Sequence, residues 1–272
     1  MSTANRTDRS FYLCPPTYYS IDYKINDWMD PVGAPANREL AQQQWETLVE
    51  IYNDLGLNLT FLDPIPGLPD LVFPGDSVFL YGDKAIGGHF RHIERQPEVE
   101  PKLKWFDENG FDVYRVPDGV HFEGNAEAVR WNGVLFGGYG VRSDREAYDY
   151  VSKLIDEEIV PLQVVEPFFH LDVSLLPLNK TMAAYVPHAF DPKSLETLRK
   201  HVPHLIEVAP EEAKLLACNA IVVDEHVIIG TLRAPKLTAD LRAAGFNPIQ
   251  LRLTEFLKSG GSVKCLTLER YT

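Results

Sequence analysis

The sequence predicts a mixed α/β fold, built as one pseudo-symmetric domain whose repeated units close into a ring. First, a helix end that turns through glycine into a strand-like run, Leu55-Gly56-Leu57-Asn58-Leu59, recurs at Asn109-Gly110-Phe111-Asp112-Val113 and at Ala244-Gly245-Phe246-Asn247-Pro248. Second, two weaker helix-to-strand transitions, Glu158-Ile159-Val160-Pro161-Leu162 and His201-Val202-Pro203-His204-Leu205, fill the interval between them. The five junctions stand about 40 to 55 residues apart, the spacing of repeated supersecondary units. Third, the chain carries no consensus motif of a linear array and no linker or low-complexity stretch that would divide it, so closure is favoured over an open solenoid.

Taken in order, residues 1–9 are polar and read as a flexible tail to a domain spanning 1–272. Ser10-Phe11-Tyr12-Leu13-Cys14 reads as a first strand, stopped by Pro15-Pro16. Residues 17–31, rich in Tyr, Ile, Trp and Met without a clean period, read as an ordered loop. Helical spacing of Leu40, Trp45, Leu48, Val49 and Tyr52 predicts a helix over 37–54, stopped at Gly56. Further amphipathic helices are expected over 98–108, 144–156, 192–200 and 235–243. Short strands are expected over 78–80, 85–87, 127–131, 134–136, 182–186, 220–223 and 227–229, with another over Phe168–Leu175.

Lys and Arg number 26 against 39 Asp and Glu, a formal charge of −13, and no basic run supplies the footprint that nucleic acid or an anionic membrane requires. An acidic surface suits a cationic small molecule, and it also simply keeps a protein solvated. Three widely spaced cysteines, Cys14, Cys218 and Cys265, argue against a disulfide framework and for a reducing compartment. With no apolar leader and no bilayer-spanning run, a cytoplasmic protein is expected. His89 with His92, and His201 with His204, have spacings that could suggest a metal. No carboxylate or cysteine completes a set there, so neither metal nor cofactor is expected.

The candidate nucleophile is Cys265, at the end of Ser259-Gly260-Gly261-Ser262-Val263-Lys264, where glycine-rich backbone lets a ligand approach and leads into a strand-like segment. On a strand Lys264 would face away, so the thiolate needs another cation, either a protonated histidine or the substrate itself. Taken alone, a cysteine after Gly-Gly is more often a small buried hydrophobe. In Phe168-Phe169-His170-Leu171-Asp172-Val173-Ser174-Leu175, strand alternation puts His170, Asp172 and Ser174 on one face, as a satisfied buried polar pair or as an active-site edge. Asp76, after Pro74-Gly75, and Glu123, before Gly124, are polar interruptions of exposed-turn type. Yet Asp76, Glu123, His170 and Cys265 all fall about 10 to 20 residues beyond a junction, so ring closure would bring them to one centre.

On these residues the chain resembles the amidinotransferase or pentein superfamily, most closely its dimethylarginine dimethylaminohydrolase (dimethylargininase) group beside the arginine deiminases and dihydrolases. The resemblance implies a five-bladed pseudo-symmetric α/β propeller of ββαβ units, with the active site in its central channel. It further implies that Cys265 attacks a guanidinium carbon, that His170 serves as acid and base, and that Glu123 pairs with the histidine. Asp76 and Asp172 would hold the guanidinium, and Arg95 and Arg142 resemble positions that bind a substrate α-carboxylate. The expected partner is a small cationic guanidino compound, with a homo-oligomer left open. The expected reaction is hydrolysis giving citrulline and an amine or ammonia, with amidino transfer as an alternative. A non-catalytic binding module on the same propeller is the remoter alternative. The chain departs from the group in carrying Glu123-Gly124-Asn125-Ala126-Glu127 for the more usual Glu-Gly-Gly-Asp, and Asp172 where typical dimethylargininases carry lysine. Asp76, where arginine dihydrolases carry asparagine, disfavours release of a second ammonia.

Overall fold

Each of the five junctions is a helix ending on the strand that completes a small sheet. The computed structural model describes residues 9–271. The expected tail, residues 1–9, lies outside the described residues except for Arg9, which is tied down through Glu269 at 2.6 Å and the Val222 carbonyl at 2.9 Å. The first sheet joins β1 (Ser10–Leu13) to β2 (Asn58–Phe61) in parallel, across helix α1 (Arg38–Asp54). Parallel neighbours need such a crossover, which is why a helix precedes every third strand.

The pattern repeats in β3 (Val78–Tyr81), β4 (Lys84–Gly87), α2 (Val99–Glu108) and β5 (Asp112–Arg115). It returns in β6 (Ala128–Trp131), β7 (Val134–Tyr139), α3 (Ala147–Ile155) and β8 (Ile159–Gln163). The fourth copy is β9 (Leu175–Pro177), β10 (Met182–Tyr185), α4 (Pro192–His201) and β11 (His204–Glu207). A short α5 (Pro210–Ala213) leads to the fifth: β12 (Ile221–Val223), β13 (His226–Ile229), α6 (Pro235–Ala243) and β14 (Asn247–Gln250). After α7 (Thr254–Leu257) the last strand, β15 (Leu268–Glu269), returns to the first sheet and pairs antiparallel with β1, Phe11 opposite Glu269. Among the described residues there are thus five three-stranded sheets, each with an antiparallel pair followed by a parallel strand, and the chain's end closes the ring.

Local chemistry explains the repeat. Three helices end at a left-handed glycine, Gly56, Gly110 and Gly245 (φ 71°, 84° and 88°), the conformation in which a missing Cβ costs least. α3 ends instead on left-handed Asp156, and α4 passes into strand at Val202 with no such residue, which is why those two junctions are weaker in the sequence. At the other end, the Asn37 side chain accepts the Leu40 N–H, and Asp191 accepts that of Ser194 beside Pro192. Ala41, Trp45, Leu48 and Tyr52 give α1 the apolar stripe that it buries.

Two expectations fail. Phe168–Leu175 is not a strand: only β9 is extended, and residues 168–174 form a loop and turn with Ser174 N–H and Leu175 N–H both bonded to the Leu171 carbonyl. Nor does Cys265 stand at the head of a strand. It lies in a turn closed by Leu266 N–H to Ser262 O (3.1 Å) and Thr267 N–H to Lys264 O (3.0 Å). Both segments are apolar because they are buried, and burial of a turn gives the same composition as a strand.

Gly124 carries the tightest backbone approach. Its φ is 57°, and an added Cβ would lie 2.5 Å from the Gly75 oxygen and 2.7 Å from that of Val78. Gly82, at φ 53°, has open space beside it. Gly124→Ala should therefore lower urea-unfolding stability by at least ~2 kcal/mol, against ~1 kcal/mol for Gly82→Ala. Equal losses would contradict the close approach.

Candidate active site

The loop that enters the first strand of each sheet brings one or two polar side chains to the centre of the ring. These are Asp70 and Asp76 before β3, Glu123 before β6, His170 and Asp172 before β9, Asn219 before β12 and Cys265 before β15. All are buried, none more than 4% exposed. A buried charged group is stable only with partners, and the partners define the geometry.

Glu123 binds two of them through one oxygen: Oε2 lies 2.7 Å from His170 Nε2 and 3.0 Å from a terminal nitrogen of Arg142. Burial alone would raise this carboxyl's pKa, but Arg142 and His170 hold it well below the usual carboxylate range. The same bond acts on the histidine. Burial would lower the imidazole pKa, but the hydrogen bond to Glu123, then the charges of Asp76 and Glu123, raise it. With Nε2 committed to Glu123, His170 Nδ1 is the ring nitrogen with no protein partner. Of the two readings of His170, the pair is with Glu123 and not with Asp172, and its second nitrogen is left for other chemistry.

Asp76 Oδ2 accepts from Arg95 at 2.5 Å, and Arg95 also grips Glu98 with two N–H groups (2.7 and 2.8 Å) and donates to the Asp70 carbonyl. Asp172 Oδ2 lies 3.7 Å from Cys265 Sγ. The outer oxygens Asp70 Oδ1, Asp76 Oδ1, Asp172 Oδ1 and Glu123 Oε1 are all buried without a hydrogen-bond partner. Each such oxygen costs free energy until a donor meets it, and the N–H groups of a cation are donors of that kind. Burial pushes the Asp172 carboxyl up to about 7, with His170 opposing and Asp76 adding to the rise. Burial first, and then the facing charges of Asp172 and Asp76, push the Cys265 thiol well above its ordinary value. Lys264 does not offset this at the sulfur, because its ammonium is bonded to Glu269 at 3.1 Å.

Two central residues escape notice in the sequence. Asn219 accepts the Cys265 N–H at 3.1 Å and donates to the Asp172 carbonyl at 3.2 Å, fixing Cys265 and Asp172 relative to one another. Its signal is positional: it stands about 10 to 20 residues beyond the His201-Val202 junction, within the range of the other four after theirs. Asp70 shares the Pro69–Asp76 run with Asp76 and carries no separate signal. The unusual Asn125 has a structural role, since its Oδ1 accepts the Leu80 N–H and its amide donates to the Glu269 carbonyl, stitching the second sheet to the chain end. The adjoining Glu127 accepts the Leu171 N–H at 3.1 Å, and burial raises its pKa to about 8.

Cys265, His170, Asp70, Asp76, Arg95 and Arg142 line one small cavity of ≈10 Å³, closed by Ile25, Asn26 and Met29. The arginines differ in what they have left. Arg95 donates four hydrogen bonds to protein acceptors, and Arg142 two, one of them to the Ile25 carbonyl. Among the described residues no three His, Cys, Asp or Glu side chains are grouped to hold a metal ion, and no helix is long and apolar enough to cross a membrane.

A profile of the family described as N,N dimethylarginine dimethylhydrolase, eukaryotic, matches residues 21–272. The chain is 38% identical over 270 residues to the bifunctional arginine dihydrolase/ornithine cyclodeaminase of Synechocystis sp., covering 96% of this chain but only 37% of that protein. It is 36% identical over 272 residues to the N(G),N(G)-dimethylarginine dimethylaminohydrolase of Mycobacterium tuberculosis, covering 98% and 88%. The solved N-terminal domain of the former, covalently bound to a reaction intermediate, superposes with a TM-score of 0.92 at 35% identity, covering 96% of this chain and 97% of that one. A Pseudomonas aeruginosa dimethylaminohydrolase in complex with citrulline shares the fold at 18% identity and a TM-score of 0.81, covering 96% and 98%.

The electrostatics of the thiol are testable without substrate. A neighbouring carboxylate stabilises the protonated thiol, so removing that charge lowers the thiol pKa. In Asp172→Asn the midpoint of the pH profile for alkylation of Cys265 by iodoacetamide should move down, and the rate at pH 8 should rise about tenfold for every pH unit by which the midpoint falls. A midpoint that stays in place or rises would show that Asp172 does not face the sulfur.

Proposed function

The chain belongs to the N,N-dimethylarginine dimethylhydrolase family, and from that premise we propose that it hydrolyses a guanidinium C–N bond of a free arginine-type substrate through a covalent adduct on Cys265. The observation that carries the reading is the convergence on one buried cavity of the Cys265 thiol, His170 with one free nitrogen and the unpaired oxygens of Asp70 and Asp76, with Asp172 3.7 Å from the sulfur and Glu123 bonded to the histidine. A binding module has no use for a nucleophile beside an acid-base group, whereas cleavage of a guanidinium needs both.

The chemistry follows from the charges. A guanidinium entering between Asp76 and Asp172 donates to their open oxygens and places a positive charge beside Sγ, lowering the thiol pKa that the same carboxylates had raised. The thiol proton passes to His170, and the sulfur bonds the guanidinium carbon. His170 Nδ1 returns that proton to the departing nitrogen, which leaves as a neutral amine and yields an S-alkylthiouronium. His170 then takes a proton from water as the oxygen bonds the same carbon. The C–S bond breaks, its electron pair returns to Cys265, and the ureido product, citrulline, is released with a free thiol. Glu123 keeps its bond to His170 Nε2 throughout and stabilises the imidazolium each time it forms. Arg142, with the most N–H groups left, takes the substrate α-carboxylate, with Arg95 chiefly holding Asp76. Asp70 Oδ1 accepts from the α-ammonium.

Admission requires movement. Residues 23–29 lie over the cavity, latched by Tyr23 to Asp70, Asn26 to the Ser259 carbonyl and Arg142 to the Ile25 carbonyl. An arginine-sized molecule enters only when that loop lifts. All three cysteines are free thiols, which supports the reducing, cytoplasmic setting expected from the sequence.

Asp172 also bears on the substrate. A dimethylated nitrogen offers no N–H to its open oxygen, and a buried charged acceptor left unpaired costs roughly 1–3 kcal/mol or more. An unmethylated guanidinium satisfies Asp76 and Asp172 together, which favours arginine, giving citrulline and ammonia. Asymmetric dimethylarginine, giving citrulline and dimethylamine, is the second reading, favoured by the family match over residues 21–272. Comparison of kcat/KM for arginine, monomethylarginine and asymmetric dimethylarginine decides between them. Arginine should lead the dimethylated compound about tenfold or more, and Asp172→Ala should erase the gap. A dimethylarginine preference equal in both proteins would remove Asp172 from specificity. Cys265→Ser retaining substantial activity on the preferred compound would end the covalent reading.

A further inference from the structure

Helix α2 carries a charge where its neighbours are apolar. Val99, Leu103 and Phe106 bury the inward stripe of the helix, and Lys102 is buried with them at 5% exposure. An ammonium taken out of water costs free energy that an apolar side chain of the same length does not. What this one holds is the turn that carries Asp76.

Residues 73–76 form that turn. Its own bond, Asp76 N–H to the Phe73 carbonyl, is long at 3.4 Å and holds it only weakly. Two donors from outside fix it instead: the Asn125 N–H on the Gly75 carbonyl at 2.7 Å, and the Lys102 ammonium on the Pro74 carbonyl at 3.2 Å. Of the two only Lys102 is charged, and a charged donor makes the stronger kind of bond.

Lys102 also acts on the Asp76 side chain from behind. Glu98, four residues earlier on the same face, grips Arg95 with both oxygens, and Arg95 holds Asp76 Oδ2 at 2.5 Å, leaving Oδ1 open. Burial raises the Glu98 carboxyl to about 7 against the opposing charges of Arg95 and Lys102. Without the ammonium Glu98 would take up a proton more readily and loosen its grip on Arg95. We infer that Lys102 is a positioning residue for Asp76: its ammonium fixes the turn and the Glu98–Arg95 pair so that Asp76 Oδ1 faces an incoming guanidinium. This rests on the hydrolase reading given above. Lys102 itself is not among the residues lining the cavity that Cys265 lines.

The charge on Lys102 can be switched by pH as well as by substitution. Burial pulls the ammonium down to about 8, with Glu98, Cys14 and Asp76 opposing and Arg95 adding to the fall. The cation is therefore present below about pH 8 and lost above it. Because kcat/KM reports groups that titrate in the free enzyme, the ratio of variant to wild type at two pH values isolates Lys102 from the thiol and His170, which both proteins share.

The test uses arginine or asymmetric dimethylarginine, whichever the wild type turns over faster. Lys102→Met, close in length and uncharged, should lower kcat/KM about tenfold at pH 7, the order of loss that a small misplacement of a binding group brings. At pH 9, where the wild-type lysine is itself mostly neutral, the deficit should shrink to about twofold or less. Lys102→Arg keeps its charge at both values, and the hollow of ≈200 Å³ that Lys102 lines with Asp63 and Trp105 gives the larger head room. It should match wild type within about threefold at pH 7 and exceed it about fivefold at pH 9. Lys104→Met, on the exposed side of the same helix, should equal wild type at both. A part in folding alone would lower activity by one factor at every pH. The inference is overturned if neither ratio changes between pH 7 and pH 9; should Lys102→Met not fold, the Lys102→Arg ratio alone decides. Wild-type protein that turns over no guanidino compound would instead overturn the hydrolase reading, and the role of Lys102 with it.

Discussion

The centre of this protein holds more buried carboxylate than buried cation. Asp70, Asp76, Glu98, Glu123, Glu127 and Asp172 are all nearly or wholly sequestered, and Arg95, Arg142 and His170 are the positive groups set directly against them. Burial first, with neighbouring carboxylates adding, raises Glu98 and Asp172 to about 7 and Glu127 to about 8, while Arg142 and His170 hold Glu123 low. A site in that state is destabilised until a cation enters. The same excess keeps the thiol protonated and unreactive when no cation is present. On the function proposed, binding and activation are one event, and a guanidinium would supply both the charge and the planar set of N–H donors that the open oxygens require.

The ring makes this crowding tolerable. Each loop contributes only one or two polar side chains and is anchored at once by the first strand of its sheet, so no single segment has to fold around several charges. Cross-links between loops then fix the positions: Asn219 ties Cys265 to Asp172, Glu123 ties His170 to Arg142, and Asn125 ties the second sheet to the chain end. The last strand, held by Arg9 through Glu269, closes the circle a few residues after Cys265.

Much of this is legible in the amino-acid order because the repeat is written twice, in helices of which three end at glycine and in polar residues about 10 to 20 positions beyond each junction. The five helix-to-strand junctions all stand, and Asp76, Glu123, His170 and Cys265 meet as their offsets imply. What could not be read is geometry within the loops. Phe168–Leu175 and the segment at Cys265 carry strand-like composition because they are buried, yet both are turns, so alternation along a strand pairs His170 with Asp172 when its partner is Glu123. Asn219 hides because an amide before an apolar strand resembles any strand start. The arginines show the other limit: a sequence reveals a cation but not how many of its N–H groups are already spent on Asp76, Glu98 and backbone carbonyls.

Central to everything above is the identity of what Cys265 carries during turnover. Acid quenching during turnover of arginine, followed by mass spectrometry of the peptide containing Cys265, reads it directly. A hydrolase of the kind described leaves the whole amino-acid skeleton on sulfur, minus ammonia, because the terminal nitrogen departs first. A bare amidino group on Cys265 would mean that the skeleton leaves first, as in amidino transfer, and would contradict the orientation of the guanidinium between Asp76, Asp172 and His170.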